Sequence, residues 1–152
     1  MEKLEPQTQQ ALTEAVSALR QGNPDETIRI CESYLLTSPS SIPHLQLCAH
    51  ALIKKNQLGL AQQKINFAIK ITPDFAPLYE DLGSIQALND DFDNAIASLR
   101  RAIQIDPRLA GAHKKLAQAL MAAGRNNEID EAFENYLDHD DDAALVVIGA
   151  EH

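Results

Sequence analysis

Pro39, Pro73 and Pro107 are separated by one constant interval of 34 residues. Each closes an apolar stretch, in Leu35-Leu36-Thr37-Ser38-Pro39, Ile69-Lys70-Ile71-Thr72-Pro73 and Ile103-Gln104-Ile105-Asp106-Pro107. Proline cannot continue a helix, because it lacks the N–H and its ring clashes with the preceding turn, so each one reads as a stop. A fixed period of this length predicts a stack of similar units, each leaning on its neighbour for burial. Such stacks expose long surfaces and suit binding better than chemical transformation.

The units fall over 7–39, 40–73, 74–107 and 108–140, and each reads as two amphipathic helices, A and B. In the third, Asp74 is the expected N-cap and Pro77 fits the first turn, where a missing N–H is harmless. Asn89-Asp90-Asp91 ends helix A. Asp91 or Asp93 then caps helix B, which carries Ala95, Ile96, Leu99, Ala102 and Ile103 at helical spacing. In the second, Ser40 or Ser41 caps, Leu45, Cys48, Ala49 and Leu52 form the apolar face, and Lys55-Asn56-Gln57 turns. In the fourth, Leu116, Ala117 and Leu120 match, Gly124 marks the stop, and helix B starts near Asn127. The first unit is looser, with helix A over about 7–21. Its Asn23-Pro24-Asp25-Glu26 is a strong helix start, with Asn23 capping and Glu26 reaching back.

The formal charge is −9, and its placement matters more than its sum. Residues 125–152 hold one basic and nine acidic side chains, while the preceding body is near neutral. No basic stripe is available to displace counterions, which argues against nucleic acid and against an anionic membrane. No apolar run approaches the ~20 residues that span a bilayer, and the start lacks the apolar core of a secretory signal, so a cytoplasmic protein is expected. Cys31 and Cys48 sit within helical apolar patterns and read as small buried hydrophobes rather than a disulfide framework.

At Tyr79, Leu82-Gly83, Ala95, Leu99, Ala102 and Pro107 the chain resembles the tetratricopeptide repeat family, a 34-residue helix–turn–helix unit with an aromatic, a Leu-Gly pair, two alanines around a large apolar residue, and a proline in that order. Gln86 stands where the family usually has tyrosine, and the fourth unit gains about three residues before helix B. The resemblance covers roughly 7–137. It implies an all-α fold, a right-handed superhelical solenoid of about four hairpins. A terminal helix over about 142–150 would follow, either capping the stack or cut short from a longer protein. The family lines its concave groove with helix A. By matching position the groove rows are Gln46, Glu80 and Lys114; His50, Ser84 and Gln118; and Ile53, Ala87 and Met121. This mixed surface suits an extended peptide or protein segment held by side-chain hydrogen bonds and a small apolar anchor. Glu80 and Lys114 are placed to pair between neighbouring units. Some family members clamp a chaperone carboxylate with Lys, Asn and Arg. The matching positions here read Leu12, Val16, Gln46, Pro77 and Asp81, or Gln46, His50, Asp81, Gly111 and Lys115, and neither set provides that clamp.

No metal, nucleotide or nucleophile motif is present, so no catalytic residue, metal or cofactor is expected. Asp91-Phe92-Asp93 reads as a turn. Asp138-His139-Asp140-Asp141-Asp142 resembles the start of a calcium loop, but the required Gly is Ala143 and the closing Glu is Gly149. His50 and His113 lie on A helices without an acid–nucleophile set. Leu12, Val16 and Leu19 fall on the groove rows. We expect the first helix to be rotated so that they pack on Ile28, Cys31 and Leu35; otherwise they offer a self-association face. Leu145, Val146 and Ile148 in the apolar stretch Ala143–Ala150 offer a second such face, or open a fifth helix A. The expected function is therefore a non-catalytic protein-interaction module, possible as a homodimer. The alternatives are the leading segment of a larger bacterial enzyme, of sulfotransferase type for example, and a self-associating scaffold.

Overall fold

The computed structural model describes residues 6–139, with side chains from Thr8 to Asp138. The described residues are helical throughout and contain no strand. The chain divides into two compact units at the Pro73 repeat boundary, Met1–Pro73 and Asp74–His152. The first holds α1 (Pro6–Arg20), α2 (Pro24–Leu35), α3 (Ile42–Lys54) and α4 (Leu58–Ile71). The second holds α5 (Ala76–Leu88), α6 (Phe92–Ile105), α7 (Ala110–Ala122), a 3-10 turn over Asn126–Glu128, and α8 (Ile129–His139). Within the first unit α1 packs on α2, α2 on α3, α3 on α4, and α1 also touches α3. Within the second, α5 packs on α6, α6 on α7, α7 on α8, and α5 touches α7. Within each unit, then, every helix packs on its successor, and the first A helix also meets the second. This is the all-α helical repeat solenoid that the proline period predicts.

The turn between A and B repeats as strictly as the prolines. Gly22, Asn56, Asp90 and Gly124 all have positive φ, at 77°, 58°, 58° and 73°, and are spaced 34 residues apart. The next residue in each case donates its backbone N–H to the carbonyl five residues back, 2.8–2.9 Å away: Asn23 to Ala18, Gln57 to Leu52, Asp91 to Gln86 and Arg125 to Leu120. This closure satisfies the orphan carbonyls of helix A and needs a left-handed residue, for which Gly, Asn and Asp are the tolerant types.

The helix starts are less uniform than expected. Asn23 does cap α2, its side chain accepting from the Glu26 N–H at 3.3 Å. Glu26 does not reach back; its carboxylate pairs with Arg29 one turn on. Phe75, not Asp74, is the N-cap of α5. Ser41 precedes α3, but its hydroxyl turns to His44 Nδ1 at 2.6 Å instead of a backbone N–H. Asp91 precedes α6 and accepts from the Asn94 side chain at 2.8 Å. The expected gain before the last helix B is the 3-10 turn, which places buried Ala132 37 residues after Ala95, not 34.

Small residues set the spacing of the hairpins. A methyl group at Gly83 would lie 2.6 Å from Leu99 Cγ, so the glycine is what lets α5 and α6 approach around that leucine. Ala15 and Ala49 are fully buried at the equivalent positions of the first two hairpins. Thr27 secures the first of these, its hydroxyl donating to the Ala15 carbonyl at 2.9 Å. α1 is therefore in register with the later A helices, which corrects the expected rotation. Its buried strip is Thr8, Ala15 and Ala18, and Leu12, Val16 and Leu19 remain half-buried on the groove rows.

Candidate functional site

The outer row of each A helix was the expected site, and it can be followed one unit at a time. In the first unit, Gln46, His50 and Ile53 lie half-buried along α3. Leu12 and Val16, one repeat earlier on α1, line an open trough of about 430 Å³ with Thr13, Ser17 and Arg20. Helical periodicity alone accounts for the row: positions four and three apart share a face.

In the second unit, Glu80, Ser84 and Ala87 of α5 are half-buried, whereas Lys114, Gln118 and Met121 of α7 are exposed. The contact between these A helices is polar at one end and apolar at the other. At the polar end Lys115 donates to Glu80 Oε1 at 2.9 Å. The expected partner was Lys114, one residue away. One residue is 100° of helix, so Lys115 faces α5 while Lys114 points outward. Gly111 makes the approach possible: a methyl there would come within 2.3 Å of Glu80 Oε1. At the apolar end Ser84, Ala87, Leu88, Phe92 and Gln118 border a crevice of about 410 Å³. The Ser84 hydroxyl donates to the Glu80 carbonyl of its own helix at 3.1 Å, leaving an oxygen that can still accept from a ligand.

Two side-chain clusters outside the rows were not singled out in the sequence. On α6 and the 3-10 turn, Glu128 accepts from Arg125 and from Arg100, the latter at 2.9 Å. Those hydrogen bonds hold its carboxyl down at about 2. In the first turn of α3, buried His44 stacks on Tyr34 of α2 with ring centroids 3.8 Å apart, and the Tyr34 hydroxyl meets Thr8 at 2.8 Å. Burial lowers the His44 pKa, which favours the neutral imidazole. A spacing of three from Ser41 to His44 was the available signal, hidden because serine before a helix normally bonds the backbone. His113 is a packing residue: it is buried, bonds the Pro107 carbonyl at 2.7 Å and tilts against Tyr136. Cys31 and Cys48 are free and buried, and burial pushes the Cys31 thiol up to about 12. Among the described residues, no three His, Cys, Asp or Glu side chains are grouped to hold a metal ion. Nor is any described helix long and apolar enough to cross a membrane. Leu145, Val146 and Ile148, and the helix expected over 142–150, lie outside the described residues.

The four-fold turn, the small row at Gly83 and the proline period agree with one family model, described as TPR repeat, that matches residues 89–124. The chain is a tetratricopeptide-repeat protein. It is 32% identical over 100 residues to small glutamine-rich tetratricopeptide repeat-containing protein 2 of Saccharomyces cerevisiae, a match covering 66% of this chain and 29% of the yeast protein. The match thus spans less than a third of that curated relative. Among solved structures, a thermophilic TPR protein of Thermus thermophilus superposes with a TM-score of 0.79 at 21% identity, over 97% of this chain and 81% of the other. The first TPR of Spaghetti (RPAP3), bound to an HSP90 peptide, superposes with a TM-score of 0.70 at 17% identity, over 75% of this chain and 90% of the other. At these identities the two structures establish the repeat fold for this TPR protein; the residues of its rows are its own.

Proposed function

We propose that this TPR protein is a non-catalytic interaction module that holds an extended segment of a partner protein along the outer rows of its A helices. The residues that would make the contact are Gln46, His50 and Ile53 on α3, Glu80, Ser84 and Ala87 on α5, and Lys114, Gln118 and Met121 on α7. The observation that carries this reading is the crevice between α5 and α7, where an apolar floor lies beside Ser84 and Gln118. An apolar side chain fits the floor, and the backbone beside it meets hydrogen-bonding groups, which is the composition an extended peptide requires. A TPR of the same fold is known with a peptide bound, which supports the reading. The peptide chemistry should differ, because Asp81 stands where a carboxylate clamp would need a donor. A free C-terminal carboxylate is therefore disfavoured and an internal segment favoured.

Selection from a displayed library of random peptides, followed by calorimetry, tests this. Enriched peptides should bind with micromolar affinity, about 8 kcal/mol. Ala87→Arg, which fills the crevice, should weaken binding at least about tenfold, or ~1.4 kcal/mol, with helicity and melting temperature retained. Peptides that bind Ala87→Arg as tightly as the parent protein would refute the groove.

A further inference from the structure

α4 carries an apolar stripe that the repeat does not require. Leu60, Phe67 and Ile71 are 50%, 45% and 39% exposed. With Lys64 they fall at spacings of four, three and four residues, which align all four side chains on one face of the helix. At the places of Leu60 and Phe67 the other B helices read Glu26 and Ser33 on α2, Asn94 and Arg101 on α6, and Glu131 and Asp138 on α8. Polar residues therefore serve the fold at these places, and the second hairpin alone departs from them. A groove of about 320 Å³ opens beside the stripe, bordered by Leu35, Pro39, Lys64 and Phe67. Clustered apolar exposure of this kind marks a contact surface. The charge around it is one-sided: residues 33–73 hold four lysines and none of the chain's 22 acidic residues.

The spacing four, three, four reads the same in both directions, so the stripe is its own complement about a twofold axis. We propose that α4 packs antiparallel on α4 of a second copy, forming a twofold dimer. Leu60 then meets Ile71 of the second copy and Lys64 meets Phe67 of the second copy, each contact made twice. The pairing is complementary in charge as well as in shape. An ammonium over an aromatic face is attracted by the ring's quadrupole, and the lysine stem adds apolar cover beneath it. A parallel pair would set Lys64 against Lys64. An acidic surface would satisfy the lysines but leave Leu60, Phe67 and Ile71 against carboxylates. A contact one 14-residue helix long is smaller than the ~800 Å² per partner of a standard interface. The dimer is accordingly a weak one, half-formed at about 100 µM. The stripe shares no residue with the proposed peptide groove, so the inference does not depend on that reading.

Sedimentation velocity on the full chain, from about 10 µM to about 1 mM, should show monomer passing into dimer. Phe67→Arg, which installs the residue α6 carries at this place, should weaken that association at least about tenfold with helicity and melting midpoint retained. Raising salt from about 0.1 M to about 0.5 M should not weaken it, because no ion pair holds the contact. Disulfide trapping then reads the direction of packing. A Leu60→Cys copy and an Ile71→Cys copy, mixed and mildly oxidised, should join to each other. Neither should join to its own kind, because the twofold sets the two copies of residue 60 about 16 Å apart along the helices, beyond the ~7 Å a disulfide can bridge. Cys31 and Cys48 are buried and do not compete. A monomer at every concentration would overturn the proposal. So would association that survives Phe67→Arg, which places the contact on another face, and Leu60→Cys copies joined to one another, which makes the packing parallel. Association that fades with salt would also overturn it, because the lysines would then be meeting an acidic surface.

Discussion

Gly83 and Gly59 should respond to alanine with opposite sign. Gly83 lies in the middle of α5 and Gly59 in the first turn of α4; alanine is favoured over glycine in a helix by up to ~1 kcal/mol. Around Gly59 nothing lies within 4 Å of an added methyl, so Gly59→Ala should realise most of that gain, roughly 0.5–1 kcal/mol. At Gly83 the methyl would meet Leu99 Cγ at 2.6 Å, Leu99 Cδ2 at 2.9 Å and the Ala95 carbonyl at 3.3 Å. Leu99 is fully buried in the core cluster with Ala95, Ile96 and Leu116, so it has no solvent to swing into. Overpacking of this kind costs about 1–3 kcal/mol, which outweighs the helical gain and leaves Gly83→Ala about 1 kcal/mol less stable than the parent. The two variants should then differ by roughly 1.5–2 kcal/mol, or about 3–8 °C in melting midpoint for a chain of this size. Circular dichroism at 222 nm, by heat and by urea, measures both. Leu99→Ala supplies an internal control. Alone it should cost about 2–5 kcal/mol, and beside Gly83→Ala it should cost ~1 kcal/mol less, because the new methyl fills part of the cavity. If Gly83→Ala raises the midpoint as Gly59→Ala does, and the double variant shows no coupling, close approach is not what keeps glycine at this position.

The Arg100–Glu128–Arg125 cluster predicts an acid limb. Because hydrogen bonds from Arg125 and Arg100 lower the Glu128 carboxyl from its ordinary 4.5 to about 2, its contribution is complete above pH 4.5 and is lost as pH falls through 2. Glu128→Gln should remove that contribution at every pH and flatten the midpoint-versus-pH curve within this window; an unchanged curve would contradict it. The cysteines should be silent: burial raises the Cys31 thiol to about 12 and raises Cys48 as well, so neither should react with a disulfide reagent at pH 8 until the chain is unfolded in denaturant. Rapid labelling of the native protein would contradict their burial.

The stack was legible in the sequence because its determinants act on the backbone. A proline that ends helix B, an asparagine that caps α2 and a glycine under Leu99 each do one geometric task that few residues can do. The turn at Gly22, Asn56, Asp90 and Gly124 was harder to see, because three residue types share the one left-handed conformation it needs. The misreading of α1 has the same root. Leu12, Val16 and Leu19 suggested a rotated helix by hydrophobicity, but the register is held by what can be small. Ala15 lies under the Thr27 hydroxyl bond just where Ala49 and Gly83 lie in their own hairpins, and large residues could not take that place. Side chains on the outer rows carry no such constraint. Glu80 chose Lys115 over Lys114 because Gly111 lets that edge of α7 come close, a fact about the approach of two helices that no count along the chain contains. Burial therefore writes the fold into residue size, while the rows that would meet a partner are free to change without disturbing it. That freedom is why the repeat identifies the scaffold, and why the chemistry of the proposed partner segment has to be read from the crevice at Ser84, Ala87 and Gln118 instead of from the period.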